Sequence, residues 1–157
     1  LYARRQRQMC IRDRPKIEHI TLTFKLKRPN FKMLNSAMVT LTLLTSQKSK
    51  LTQSKVSNIS LKIRKGQPVG CKVTLRKKKM NIFMFKILNK IILNELFKTT
   101  KSNNLFSLNI QNVLIFSELE KNYQFFKDLP CLNIYIKTTN CTFNELKYLI
   151  NSYKIVI

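Results

Sequence analysis

The chain has 157 residues, of which 44% are hydrophobic, so it can bury one core and its composition excludes a disordered tail. With 30 lysines and arginines against 7 acidic residues, its formal charge of +23 predicts a polyanionic partner, nucleic acid first and an anionic membrane surface second. No apolar run approaches the roughly 20 residues of a membrane span. Its cysteines form no CxxC pair, so we expect reduced thiols rather than a zinc site or disulfides at Cys10, Cys71, Cys131 and Cys141.

Residues 1–14 are rich in arginine and show no hydrophobic periodicity. The run MCIRDR at 9–14 resembles a translated sequencing adapter, and we interpret the stretch as foreign to the native protein. A basic arm for RNA and an organelle presequence are the alternatives. We expect residues 15–157 to form a single domain.

The first half opens with a predicted strand and a predicted helix. Apolar and polar residues alternate over 16–27, with Ile20, Leu22, Phe24 and Leu26 on one side and Thr21, Thr23, Lys25 and Lys27 on the other. His19 has no Ser, Cys or carboxylate pattern around it, so we interpret it as a surface or edge residue rather than a catalyst. Asn30 is the predicted N-cap of a helix that reaches Thr45. Its predicted core-facing stripe is Phe31, Leu34, Met38 and Leu41.

The most distinctive stretch is 57–80, where two short alternating strands are predicted on either side of a basic loop at 64–70. That loop holds both glycines of the chain. The predicted apolar side is Ile59, Leu61, Ile63, Cys71, Val73 and Leu75. The predicted polar side is Lys62, Arg64, Lys72, Thr74 and Arg76. An apolar back and a cationic front favour a hairpin that lies on phosphate.

Lys77, Lys78 and Lys79 precede a predicted apolar helix over 80–97. Three lysines at a helix N-terminus oppose the macrodipole, which favours a phosphate partner over a solvated run of charge. Its stripe is broad, so we expect this helix to be the most buried element. The stripe comprises Met80, Ile82, Phe83, Met84, Phe85, Ile87, Leu88, Ile91, Ile92 and Leu93.

The second half predicts further strands and a last helix. Residues 98–104 are predicted as a polar loop and 118–130 as irregular, whereas alternation predicts strands over 105–110 and 132–137. Thr142 and Glu145 form a capping box that opens a helix, and an apolar tail follows. This order favours an α+β fold of two layers, a mostly antiparallel sheet with helices on one face. The other face then forms a cationic platform of a kind typical of RNA-binding proteins.

Sequence motifs for catalysis are missing. The chain contains no GxGxxG, GxxxxGK[ST] or HExxH, and its 7 acidic residues are scattered. We therefore predict a protein that is not an enzyme and that needs no cofactor or metal.

The run KIRKGQPVGCKVTLR at 62–76, with Gln47 and Lys48 upstream and Met80 downstream, resembles the family of the universal large-subunit ribosomal protein five. The resemblance implies an α+β protein in the central protuberance that binds 5S rRNA and neighbouring large-subunit rRNA. It also implies a loop that contacts P-site tRNA, an intersubunit bridge with small-subunit ribosomal protein thirteen, and contacts with neighbouring central-protuberance proteins.

Matching positions assign residues to these roles. The resemblance implies 5S-rRNA contacts at Gln47 and Thr74, with Lys55 and Ser57 at matching polar positions. We add further cationic and polar residues to the predicted rRNA-binding set: Lys48, Lys50, Thr52, Lys62, Arg76, Lys77, Lys78 and Lys79. The resemblance also implies a tRNA and intersubunit loop of Arg64, Lys65, Gly66, Gln67, Pro68, Val69 and Gly70. Phe24 stands where the family usually has an asparagine, and the family's Gly-rich segment is reduced to 101–106. Such departures are typical of a divergent organellar ribosome.

Frequent Asn, Lys, Ile and Phe with only 2 glycines are typical of an A/T-rich coding sequence, as in organelle genomes. We therefore predict a protein of the mitochondrial large ribosomal subunit. The alternatives are a plastid or A/T-rich bacterial equivalent, a free-standing RNA-binding regulator, and a cationic membrane-surface protein. The lysines lie on predicted strands, loops and one helix start rather than along an amphipathic helix, which disfavours the membrane surface.

Overall fold

The computed structural model describes residues 16–26, 30–91, 97–102 and 105–139, together with 145, 148 and 152. Its elements are β1 (Ile17–Lys25), α1 (Phe31–Thr45), β2 (Lys50–Gln53), β3 (Pro68–Leu75), α2 (Lys77–Ile91), β4 (Phe97–Ser102), β5 (Leu105–Ile110), a 3₁₀ turn (Val113–Ile115), α3 (Ser117–Glu120), α4 (Tyr123–Phe126) and β6 (Leu132–Thr138).

The six strands form one sheet in the order β2-β3-β1-β6-β5-β4. Every pairing among them is antiparallel. β1 lies in the interior of the sheet, hydrogen-bonded to β3 on one side and to β6 on the other. The sheet therefore brings the first and the last of the described strands together.

Cross-strand rows of apolar side chains build the core face of the sheet. One row joins Leu75, Ile20, Ile136 and Phe106, and the next joins Val73, Leu22, Ile134 and Leu108. These eight residues are all buried. Alternation along each strand places its polar residues on the opposite side, which the register keeps aligned across the sheet.

Among the described elements, the helices cover this core face only. Leu41 and Leu44 of α1, with Phe83 and Ile87 of α2, are buried in the same cluster as the strand rows. Leu119 of α3 belongs to it as well. The prediction of a two-layer α+β fold with helices on one face is confirmed.

The start of α1 agrees with the sequence in its cap and differs in its stripe. The Asn30 side chain accepts a hydrogen bond from the Lys32 backbone N–H at 3.1 Å, as an N-cap does. Phe31, however, is 75% exposed, and the buried stripe uses Ala37 and Leu44 instead. The first turn of a helix can project beyond the sheet it covers, so helical spacing alone does not place Phe31 in the core.

The prediction of a strand over 57–64 is wrong. The strand that pairs with β3 is β2, which lies upstream of it, and residues 54–67 form the connection between the two. Ile59 is 93% exposed, and only Ile63 of the three alternating apolar residues is buried. The chain reverses here because the Asn58 side chain accepts hydrogen bonds from Ser60 Oγ at 2.6 Å and Leu61 N–H at 3.4 Å, which forms a local turn.

Several further boundaries differ from the prediction, and the stretch 118–130, predicted as irregular, contains most of α3 and all of α4. α2 begins at Lys77, so the three lysines belong to its first turn, and Phe97 opens β4 instead of ending that helix. The predicted polar loop at 98–104 is wrong for 98–102, which pair with β5. Ile82 and Phe85 are exposed, so the buried stripe of α2 is narrower than predicted. Predictions for Lys27, Ile92, Leu93 and the capping box at Thr142 lie outside the described residues.

Candidate nucleic-acid interface

The sheet surface opposite the helices, here called the open face, carries only polar side chains on its three middle rows. The first row is Thr74, Thr21, Tyr135 and Ser107. The second is Lys50, Lys72, Thr23, Asn133 and Asn109. The third is Thr52, Gly70 and Lys25. Hydroxyl, amide and ammonium groups thus extend over five strands.

Lys50 and Lys72 lie directly opposite each other across β2 and β3, and both are exposed. Like charges at directly opposed positions of an antiparallel pair destabilise it. Among the described residues, neither lysine forms an ion pair with a carboxylate. An anion bound between them would remove this repulsion.

Lys25 lies close to an aromatic ring on the same face. Its Nζ is 6.0 Å from the centroid of the Tyr135 ring, at the outer limit of a cation–π contact. Tyr135 and Asn133 of β6, and Asn109 of β5, were not predicted as site residues. Their alternation was visible in the sequence, but only the pairing of β6 with β1 and β5 places them on the cationic face.

The described carboxylates lie mostly away from this face. Glu118 and Glu120 belong to α3 on the helical side, where Glu118 accepts from Lys86 Nζ at 2.8 Å. Glu18, on β1, is 3.1 Å from Lys137 Nζ. The hydrogen bond from Lys137 is the main reason that the pKa of Glu18 lies below its usual value. The middle rows of the open face contain lysines and no carboxylate, so this face can receive a polyanion.

Residues 54–67, here called the β2–β3 loop, are ordered by their own hydrogen bonds. Asn58 and Ile63 exchange backbone bonds of 2.9 and 3.0 Å, and Gly66 N–H donates to the Ser54 carbonyl at 2.9 Å. Lys62 lies in the turn with φ of 54°, rather than on the sheet as predicted. The exposed cations of the loop are Lys55, Lys62, Arg64 and Lys65.

Three residues predicted for the loop tip belong to the sheet instead. Pro68, Val69 and Gly70 open β3, and Gln67 precedes them, its side chain accepting from the Arg64 backbone N–H at 3.1 Å. A Cβ at Gly70 would lie 2.2 Å from the Phe24 carbonyl oxygen. Gly70 therefore permits close approach of β1 and β3 within the protein, whereas Gly66, with φ of 84°, serves the turn.

A second cationic group lies where α1 ends and α2 begins. Gln47 and Lys48 are exposed in the connection after α1, and Arg76, Lys77 and Lys78 are exposed at the start of α2. Lys79 Nζ donates to the Ser46 carbonyl, the C-cap of α1, at 2.9 Å. A cation at a helix C-terminus is favourable, so Lys79 has a structural role that the sequence did not reveal.

The described residues contain no group of three His, Cys, Asp or Glu that could hold a metal ion. No helix in the described ranges is long and apolar enough to cross a membrane. Cys71 is buried and Cys131 exposed, both as free thiols. His19 is half-buried on the interior strand β1 rather than at an edge, and its Nδ1 lies 3.6 Å from Glu18.

Comparison with known proteins identifies the family of this chain. Residues 68–157 match the model of the C-terminus of the ribosomal L5 family. The large ribosomal subunit protein uL5 of Geotalea uraniireducens is 35% identical over 150 residues, covering 88% of this chain and 81% of that protein. The chain belongs to the uL5 family. The uL5m protein of Reclinomonas americana is 31% identical over 150 residues, covering 90% of this chain and 82% of its own length.

Membership of the uL5 family confirms the resemblance stated from the sequence. Proteins of the uL5 family are structural rather than enzymatic, so the prediction that the chain is not an enzyme is also confirmed. A uL5 protein of Wigglesworthia glossinidia brevipalpis is 46% identical over 76 residues, covering 47% of this chain and 43% of that protein. The family model begins at Pro68, the first residue of β3, and thus includes most of the open face.

Proposed function

We propose that the chain is a structural protein of the large subunit of a mitochondrial ribosome and that its open face binds rRNA. The observation that carries this proposal is the opposed pair Lys50 and Lys72, flanked by Lys25 and by the hydroxyls of Thr52 and Thr74. Lysines supply phosphate affinity that weakens with salt. Hydroxyls and amides add hydrogen bonds to ribose and base edges, which fix the position of the RNA.

The rRNA contacts extend in this proposal from the open face to the α1–α2 corner. Gln47, Lys48, Arg76, Lys77 and Lys78 are exposed there and offer one amide and four cations. Where the ribosome retains 5S rRNA, we assign the contact with it to Gln47 and Thr74, supported by Lys55 and Ser57 on the loop. Lys79 is assigned a contact with α1 instead, because its ammonium group already donates to Ser46.

The β2–β3 loop is the proposed contact with P-site tRNA and with small-subunit ribosomal protein thirteen. Arg64 and Lys65 are exposed beside the Gly66 turn. Lys62 lies in the other turn of the loop, which the Asn58–Ile63 bridge closes. Internal hydrogen bonds limit the conformational entropy that the loop loses when it binds. Pro68, Val69 and Gly70 anchor the loop in the sheet rather than forming its tip.

The mitochondrial assignment is supported by the similarity to uL5m of Reclinomonas americana and by the A/T-like composition. Bacterial uL5 proteins are equally similar, so a plastid or A/T-rich bacterial ribosome is the second candidate. A free-standing RNA-binding regulator is the third, because its open face would need the same chemistry.

Charge reversal on the two layers tests this proposal. Lys50→Glu with Lys72→Glu should release the chain from large subunits during a moderate salt wash, since two phosphate contacts become repulsive. Lys121→Glu with Lys127→Glu makes the same change in net charge on exposed residues of the helical side, and this variant should stay bound. Co-sedimentation on sucrose gradients measures both.

Equal retention of the two double variants would contradict binding through the open face. Absence of the unmodified chain from the subunit fraction would instead favour the free-standing regulator. Sedimentation from purified mitochondria, compared with whole-cell ribosomes, distinguishes the compartments.

A further inference from the structure

A cavity of about 510 Å³ lies where the β2–β3 loop meets the open face, and it is here called the loop cavity. Its apolar wall includes Val56, Leu61, Ile63 and Val69, and its polar wall includes Thr23 and Thr52. Lys25 lines it as well. This volume lies within the range of about 300–1,000 Å³ in which small-molecule sites fall.

The cavity lies between the β2–β3 loop and the neighbouring ends of β1, β2 and β3. The strands contribute residues 23–25, Thr52 and Val69 to its lining. The loop turns back through the Asn58–Ile63 bridge, which brings Leu61 and Ile63 to the cavity wall. The result is an apolar slot that opens onto a cationic surface.

We propose that the loop cavity binds one unpaired nucleobase of the RNA held on the open face. This inference rests on the proposed binding of RNA. The apolar walls would pack against the faces of the base, and the hydroxyls of Thr23 and Thr52 would meet its edge. Thr23 Oγ1 is buried without a hydrogen-bond partner in the described part of the chain, so after a χ1 rotation it could bond to a ligand without breaking an existing bond.

Charge favours a nucleotide over an apolar side chain of a partner protein. Lys25 lines the cavity, and Lys55 and Lys62 are exposed on the loop, each between two lining residues in the chain. None of the described lining residues is acidic. A base inserted from a strand carries its phosphate to these cations, whereas an apolar side chain would leave them unpaired.

The test compares two single strands with equal numbers of phosphates. The full chain is titrated with a fluorescent oligodeoxyadenylate decamer and with an abasic decamer at the same salt concentration. Binding of the adenylate strand should be tighter by about fivefold or more, the factor that one well-held base supplies. The double variant Val56→Ser with Leu61→Ser should lose this difference, because it removes the apolar wall.

Ile59→Ser is the matched control, since Ile59 lies on the same loop at 93% exposure and does not line the cavity. It should keep the preference for bases. Equal binding of both strands by the unmodified chain, or equal loss of the preference in the control, overturns the base site and leaves the proposed RNA binding intact. Failure of the abasic strand to bind would instead contradict the phosphate contacts of the proposed function.

A second measurement needs no variant. A decamer with one central 4-thiouridine is cross-linked to the full chain by long-wave ultraviolet light, and the modified peptide is identified by mass spectrometry. Cross-links within 52–63 or 23–26 support the site. Cross-links confined to the α1–α2 corner contradict it.

Discussion

At the residue scale, Gly70 shows how a close backbone contact restricts a position to glycine. Gly70→Ala should lower the free energy of unfolding by about 3 kcal/mol, because its Cβ would lie 2.2 Å from the Phe24 carbonyl and force β1 and β3 apart. Gly66→Ala should cost only about 1 kcal/mol, the strain of a positive φ, since a Cβ there meets no atom within 4 Å. Urea denaturation compares the two variants, and equal costs would refute the close contact.

Cys71 makes a prediction about pH. Burial raises the pKa of its thiol to about 11, above its ordinary value of 9.0. Since the folded state then binds its proton more tightly than the unfolded chain does, the stabilisation is complete below about pH 9 and is lost as pH rises towards 11. The expected loss is at most about 3 kcal/mol.

The pH effect of Cys71 can be isolated with two variants. Between pH 8 and pH 11 (roughly the window set by the shifted pKa), Cys71→Ala should lose less stability than the unmodified chain. Cys131→Ala, at an exposed thiol, should follow the unmodified chain. Parallel stability curves for the unmodified chain and Cys71→Ala, measured by urea unfolding at each pH, would show that burial does not perturb this thiol.

The residue patterns predicted individual strands well, but they predicted poorly which elements lie next to each other. Alternation correctly located the strands β1, β5 and β6, because the period of two is a local property of a strand. The close approach at Gly70 and the hydrogen bond of Lys79 to Ser46 depend on which elements lie side by side. The sequence contains no local signal for such contacts.

At the scale of elements, the hairpin shows why local periodicity can mislead. Ile59, Leu61 and Ile63 alternate as a strand would, yet the pairing of β3 is taken by β2, a four-residue edge strand with only one apolar residue. Asx-type hydrogen bonds at Asn58 favour the turn, and strand pairing with β3 can be satisfied only once on that side. The cationic surface was nevertheless predicted on the correct side of β3, since Lys72 and Thr74 alternate with buried residues.

At the junction of α1 and α2, two adjacent lysines have different expected roles. Lys79→Met should lower the free energy of unfolding by about 1 kcal/mol, because the Ser46 carbonyl loses its donor at the helix C-terminus. Lys78→Met removes the same charge from an exposed position in the first turn of α2, where a cation is unfavourable. It should leave stability unchanged or slightly raised, while weakening RNA binding.

Urea denaturation and filter binding to large-subunit rRNA measure the two effects separately. If both variants lose stability equally, the contact with Ser46 is not the reason. If Lys79→Met reduces RNA affinity as strongly as Lys78→Met does, Lys79 contacts the RNA rather than α1.

At the scale of the whole molecule, both layers are cationic, but they differ in where carboxylates lie. The helical side pairs Glu118 with Lys86, whereas the middle rows of the open face contain lysines and no carboxylate. A formal charge of +23 is unfavourable in the isolated compact state, so bound RNA should raise the stability of the chain. Sequence alone predicted this need for a polyanion, but the extension of the face to Asn133 and Asn109 required the strand order.

The exposed loop gives the last prediction. Arg64→Glu with Lys65→Glu should weaken the joining of large and small subunits, or the placement of P-site tRNA, while large subunits keep the chain. Both side chains lie on the β2–β3 loop, away from the paired lysines of the open face, so reversing them leaves the proposed rRNA contacts unchanged.

Light-scattering measurements of subunit association and filter binding of tRNA measure these two effects, with the helical-side variant Lys121→Glu with Lys127→Glu as the control of equal charge. Stability should not change, since neither Arg64 nor Lys65 is buried. Normal subunit joining together with normal tRNA binding would remove the loop from the contact surface and confine the function of the chain to the open face. Loss of the chain from the large subunit itself would show that Arg64 and Lys65 contact rRNA, because only contacts within the subunit hold the chain there before the subunits join.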